Sequence, residues 1–295
     1  MISQRHDIIY LYGNFRKPLI LDGALGSFLQ QSGLVADKYL WFSKINITNP
    51  DFVKKVHQDY INAGADIITT NTFRTNPVAL KSSSLDIDIN EIVNKSIKIA
   101  IDARMDRNII IAGSNAPAED CYQIERTITK YNLEYNHKKH IEVLWENGVD
   151  VIWNETQSHL DEIEIIAKFC SDNSLPFVIN FFFDENLRLL SGESLNEIIE
   201  FVLSFNPIAI GFNCIKPSTF HRFFKNNELN YKYGFYFNCG SGNITDETIT
   251  CGILPPDYVN SIKHFITNNT LFIGSCCGSS PSHTKAIKEF VNELY

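Results

Sequence analysis

No apolar run in this chain of 295 residues approaches the ~20 residues a membrane-spanning helix needs. Positive charge is in the minority: 26 Lys and Arg stand against 34 Asp and Glu, a net charge of -8, and no segment gathers the basic residues into a cluster. A nucleic-acid or anionic-membrane surface needs such a cluster, so neither partner is expected. Residues 1–17 interrupt their apolar positions with Arg5, His6 and Asp7 and lack the core of a secretory signal. No Pro-, Gly- or Ser-rich linker, low-complexity tract or close internal repeat divides the chain. The cysteines, seven in all, form no paired C-x-x-C motifs. Without a signal they fit a reducing, cytoplasmic compartment, where they are buried, metal-binding or catalytic rather than disulfide-paired.

What is present is alternation. Nearly all-apolar runs at 18–21, 65–70, 108–112, 149–153, 177–180, 208–212, 233–237 and 271–274 read as strands buried on both faces. Amphipathic stretches at 49–64, 90–105, 132–148, 160–172, 194–205, 256–267 and 281–294 lie between or after them, with a shorter, aromatic-rich one at 217–225. Asn49, Pro50 and Gly64 supply start and stop signals for one of them. Alternating βα units imply a parallel sheet. Eight strands without a linker point to one closed (β/α)8 TIM barrel over residues 18–295. Residues 1–17 form an N-terminal extension, expected to cover the barrel bottom. A doubly wound dinucleotide fold is the competitor, but no G-x-G-x-x-G follows the first strand.

Such a barrel builds its active site at the C-terminal strand ends. Those ends carry Asp22, Asn71, Ser114 and Asn115, Asn154 and Glu155, Asn180, Asn213 and Cys214, Asn238 and Cys239, and Cys276 and Cys277. Any one Asn there is an ordinary turn residue; together they imply a polar cup with a carboxylate on one side and thiols on the other. Cys214, Cys276 and Cys277 sit on strands separated by a single strand, so their sulfurs can meet. Three thiolates with an open fourth position suit a catalytic zinc ion. The spacing equally allows three buried apolar thiols.

The segments Leu21-Asp22-Gly23-Ala24-Leu25-Gly26, Asn71-Thr72-Phe73, Asn154-Glu155-Thr156, Gly211-Phe212-Asn213-Cys214 and Gly274-Ser275-Cys276-Cys277-Gly278 occur in this order. In that combination the chain resembles the homocysteine S-methyltransferase family from about Pro18 to its C-terminus. Ser275, Ser279, Ser280 and Cys239 depart mildly from the family pattern, and none is an expected ligand. The resemblance implies a zinc ion, Zn2+, on Cys214, Cys276 and Cys277, with homocysteine sulfur in the fourth position. It implies transfer of a methyl group from a small onium donor, giving methionine. Asp22 and Glu155 are the expected catalytic carboxylates, holding the homocysteine ammonium. Gly23 and Ala24 would offer backbone N–H groups to its carboxylate, and Asn71 completes that substrate set.

An onium donor favours aromatic faces, which Trp41, Phe73 and Trp153 offer near strand ends. Trp41 and Phe73 are the expected substrate-binding pair, and Arg74 is placed to meet a donor carboxylate. S-methylmethionine or S-adenosylmethionine is the preferred donor and betaine the alternative. Another thiol or selenol acceptor, or a metal-binding barrel without activity, is the competing function. His283, one turn into a helix, is expected to cap it, and Phe181, Phe182 and Phe183 to pack the core. The oligomeric state is not legible in the sequence.

Overall fold

The protein is described here from a computed structural model covering residues 5–242 and 248–295. Residues 1–4 of the expected N-terminal extension lie outside the described residues. Eight parallel strands run β1 (Leu19–Ile20), β2 (Ile67–Thr69), β3 (Ile110–Asn115), β4 (Val151–Gln157), β5 (Phe177–Phe181), β6 (Ala209–Asn213), β7 (Tyr233–Phe237) and β8 (Thr270–Ser275). Neighbours pair in sequence order, β1 pairs β8, and a bridge from Leu21 to Ile67 joins β1 to β2, so the sheet closes into the expected barrel. Every strand residue from β1 to β8 is buried except Glu155, which lies part-exposed near the end of β4.

The helices are α1 (Ile8–Phe15), α2 (Leu25–Gln31), α3 (Ile45–Thr48), α4 (Pro50–Asn62), α5 (Pro77–Ser82), α6 (Ile89–Arg104), α7 (Lys130–Glu146), α8 (Leu160–Asp172), α9 (Leu195–Leu203), α10 (Pro217–Lys225), α11 (Pro255–Ile262) and α12 (Pro281–Leu294). Their boundaries follow local chemistry. Asp88 and Thr129 accept backbone N–H groups at the starts of α6 and α7, and Ser194 with Glu197 forms a capping box on α9. The expected helix over 256–267 instead starts at Pro255, ends at Ile262 and tightens into a 3-10 turn over Lys263–Phe265. His283 caps α12: its Nδ1 accepts from the Ser280 amide at 3.2 Å, and its Nε2 faces the Ile253 carbonyl at 2.8 Å.

Helix α1 lies across the N-terminal strand ends, with Ile8 and Leu11 buried in the core. Ahead of it, Arg5 donates to the carbonyls of Val149 and Trp145, and Tyr12 Oη donates to Asn268. These contacts close the end of the barrel away from the strand-end cup. On the outer wall, Glu162 accepts from the Ala118 amide at 2.7 Å and pairs with His137 and Arg126. Burial alone would raise its carboxyl, but the His137 hydrogen bond and the two charges pull it down to about 2. That pairing pins the β3–α7 loop, which forms part of the cup's rim.

Candidate active site

A cavity of about 1000 Å³ opens at the C-terminal strand ends. Cys214 follows β6, and Cys276 and Cys277 follow β8. The three sulfurs lie within 4.8 Å of one another. Cys214 and Cys276 are joined as a disulfide, contrary to the expectation of unpaired cysteines, because the ends of β6 and β8 bring their Cα atoms to 5.7 Å; Cys277 Sγ is 3.9 Å from Cys276 Sγ. Backbone geometry aims them. Cys214 sits in the left-handed region at φ 56°, unusual for a residue with a Cβ. Gly278 turns the chain at φ 83°, and a Cβ there would meet Gly240 at 2.6 Å, so only glycine permits the close approach.

With the Cys214–Cys276 disulfide reduced, these three sulfurs fit a metal ion. Thiolates around a tetrahedral zinc, with bonds of about 2.3 Å, stand about 3.8 Å apart, close to the Cys276–Cys277 separation. Burial pushes the Cys277 thiol up to about 11, so its anion calls for a cationic partner.

Asn213 ties this group to the opposite wall. Its Oδ1 accepts from the Thr156 amide and its Nδ2 donates to Thr156 Oγ1, both at 2.9 Å. Thr156, at φ 56°, belongs to a register shift in β4 between Asn154 and Gln157. Glu155, two residues past the inward-facing Trp153, shares its face and lines the cavity. Ser114 Oγ donates to its Oε1, and Tyr236 Oη donates to its Oε2 at 3.1 Å. Tyr236 is in turn fixed by Trp153 Nε1 at 3.2 Å. Desolvation pushes the Glu155 carboxyl up to about 7 against these two hydrogen bonds. Asp22 accepts from the Thr69 amide at 2.9 Å. Burial, and to a lesser degree the charge of Glu155, raise its carboxyl well above the usual carboxylate range. Two carboxylates sharing an apolar cup favour a cationic guest between them.

Gly23, Ala24, Asn71, Trp41 and Phe73 also line the cavity, as do Asp22, Glu155 and the three cysteines. The Ala24 amide is already engaged by Ser279 Oγ at 3.2 Å. Asn71 spends its Nδ2 on the Phe42 carbonyl and on Asn46, both at 2.9 Å. Trp41 and Phe73 stand 5.6 Å apart, centroid to centroid. Trp153 does not join them: it is fully buried inside the barrel against Phe272, because its position on β4 points inward below Glu155. The strand-end polar residues also do not all converge. Asn115 and Asn154 bond each other, and Asn115 bonds His140 of α7, so these side chains hold the barrel wall to its helices. Asn180 and Asn213 are likewise buried in wall contacts. Phe181, Phe182 and Phe183 are buried as expected. Tyr236 escaped the sequence analysis; its only signal is a hydroxyl at an inward-facing position of an otherwise apolar strand.

Residues 19–291 match the model of the homocysteine S-methyltransferase family. The chain is 25% identical to homocysteine S-methyltransferase 2 of Zea mays, over 93% of this chain and 90% of that protein. It is 24% identical to a selenocysteine Se-methyltransferase of Brassica oleracea var. italica, over 91% of this chain and 87% of that protein. Its fold resembles the metallated form of the Escherichia coli homocysteine methyltransferase MmuM, with a TM-score of 0.79 and 22% identity, over 96% of this chain and 100% of that one. No helix among the described residues is long and apolar enough to cross a membrane.

Proposed function

The chain belongs to the homocysteine S-methyltransferase family, and from that premise we propose that it moves a methyl group from a small onium donor to the thiol of homocysteine, giving methionine. S-methylmethionine and S-adenosylmethionine are the preferred donors. The observation that carries this reading is the meeting of three sulfurs from β6 and β8 on the same cavity wall system as Glu155 and Asp22. Cys214, Cys276 and Cys277 would hold a zinc ion. When bound, the ion lowers the pKa of the substrate thiol and keeps its sulfur anionic, the only form nucleophilic enough to react.

The remaining work falls to the chain's own side chains. Glu155, held at both oxygens by Ser114 and Tyr236, accepts the homocysteine ammonium, and Asp22 faces it from β1. An arriving ammonium restores the charged carboxylate that burial opposes, so substrate and site neutralise each other. Gly23, whose missing Cβ makes room for Tyr60 and Ser279, offers its backbone at the cavity wall to the substrate carboxylate. Trp41 and Phe73 present aromatic faces to the donor cation. Thiolate attack in line with the departing group forms the new S–CH3 bond. The old bond breaks with its electron pair going to the onium atom, which leaves neutral. No proton transfer accompanies that step, so the protein's task is positioning and exclusion of water.

The test is methionine formation from homocysteine with S-methylmethionine, S-adenosylmethionine or betaine as donor, wild type beside Glu155→Ala. Transfer from an onium donor that falls at least tenfold in the variant supports the reading. Absence of product with every donor refutes it. The Brassica relative's name favours one further acceptor, a selenol, and selenocysteine belongs in the same assay.

A further inference from the structure

The cavity is at the upper end of the ~300–1,000 Å³ range of small-molecule sites and exceeds what homocysteine alone would fill. Its second half is walled by Trp41, Phe73, Arg74 and Tyr122, from the loops after β1, β2 and β3. Arg74 is the unusual member. Its Nη1 donates to the carbonyl of Glu119 at 2.5 Å and faces that of Pro117 at 3.5 Å, and its backbone amide donates to Ser43 Oγ at 3.2 Å. Its guanidinium carbon is 5.6 Å from the Phe73 ring centroid. Among the described residues no carboxylate pairs with it, and Nε and Nη2 have no hydrogen-bond partner. The carboxylates on the same wall are engaged elsewhere. Asp37 pairs with Lys44, Glu119 accepts from Thr127, and Asp120 accepts from the Tyr122 amide.

A part-buried guanidinium with a fixed edge on carbonyls and a free edge in a cavity is prepared for a carboxylate. We propose that Arg74 binds the carboxylate of the methyl donor, so that the donor is an onium carrying its own carboxylate, with the onium lying against Trp41 and Phe73. This rests on the methyl-transfer reading above. The arrangement selects in two ways. A carboxylate gains the paired N–H donors of Arg74. A bare onium meets the uncompensated charge of Arg74 beside the same aromatic wall and is repelled. In S-methylmethionine three carbons separate the sulfonium from the carboxylate carbon, a span suited to neighbouring aromatic and guanidinium groups.

The experiment compares S-methylmethionine with its carboxamide analogue, S-methylmethioninamide, as donors for zinc-loaded wild type, Arg74→Gln and Arg74→Lys. In wild type kcat/KM should favour the carboxylate by about 10- to 100-fold, the usual size of a lost charge-assisted bond. Arg74→Gln should shrink that preference to about threefold or less, Arg74→Lys should keep part of it, and KM for homocysteine should stay within about twofold. If Arg74→Gln slows both donors by one factor, or the preference survives, Arg74 only fastens the Glu119 carbonyl and the proposal is wrong. The same donors are titrated calorimetrically into the same proteins. If no methyl transfer is seen at all, the methyl-transfer reading fails. The titration still decides Arg74: tighter binding of the carboxylate donor in wild type alone upholds the assignment, and equal binding overturns it.

Discussion

Asn213→Ala should separate the metal site from the carboxylate wall. Asn213 and Thr156 are fully or almost fully buried and exchange two hydrogen bonds of 2.9 Å. Truncation leaves the Thr156 amide without its acceptor in a dry site, at a cost of about 1–3 kcal/mol. The second lost bond adds about 1 kcal/mol. Thr156 can then leave φ 56°, a strained value for a β-branched residue, recovering about 1 kcal/mol. The net loss is about 1–3 kcal/mol, a fall of roughly 2–5 °C in melting temperature for a chain of this size. Because Cys214 follows Asn213 directly, zinc affinity should fall about 10- to 100-fold, as for other residues that orient ligands. KM for homocysteine should rise as Glu155 loosens. Thr156→Ser retains both bonds and should behave as wild type. Calorimetry and zinc competition against a chromophoric chelator measure the two effects separately. A variant with the lower melting temperature but wild-type zinc affinity and KM would refute the coupling.

The Glu155 carboxyl, pushed up to about 7 by burial, gives a pH signature of known sign. An ammonium needs the ionised form, so KM for homocysteine should rise roughly tenfold per unit as pH falls below 7; Glu155→Gln should raise KM and flatten that profile. The native state also holds this proton to higher pH than the unfolded chain, so stability falls as pH rises from roughly 4.3 to 7, a slope that Glu155→Gln removes in a melting series. Gly26→Ala places a Cβ 2.3 Å from Trp41 Cη2, so the indole must move. Donor KM should rise about tenfold or more with homocysteine KM unchanged, in steady-state kinetics with each substrate varied.

Strand order, barrel closure, the strand-end location of the cup and eight of the helices were legible because each strand opens on an apolar run and each of those helices is amphipathic; the short α2, α3 and α5 after β1 and β2 were not, being too short for a periodic signal. The helix at 217–225 was recovered to the residue, since Pro217 starts it and its phenylalanines pack inward. That uniform apolarity also hid information. Strands buried on both faces carry no alternation to say which side chains face in. Asn154 and Glu155 therefore read alike, although one bonds the barrel wall and the other enters the cavity. Trp153 looked available to a donor, and Tyr236 looked like core. The β4 irregularity at Thr156, where Asn213 binds the chain, has no marker in a sequence without glycine there. The cysteines were legible because sulfur at strand ends is rare enough to stand out; the Cys214–Cys276 disulfide and the Asn213–Thr156 pair beside it depend on three-dimensional geometry.

Whether the three sulfurs form a metal site is decided by the zinc content of anaerobically purified, reduced protein, wild type beside Cys277→Ala, measured by plasma mass spectrometry. Reductant matters because exposed thiolates oxidise and release metal. Wild type should hold about one zinc per chain and Cys277→Ala none, with the circular dichroism spectrum of the barrel unchanged. A folded, fully reduced wild type that takes up no zinc when supplied with it would rule out the metal site and leave Cys214, Cys276 and Cys277 as thiols at the mouth of a barrel.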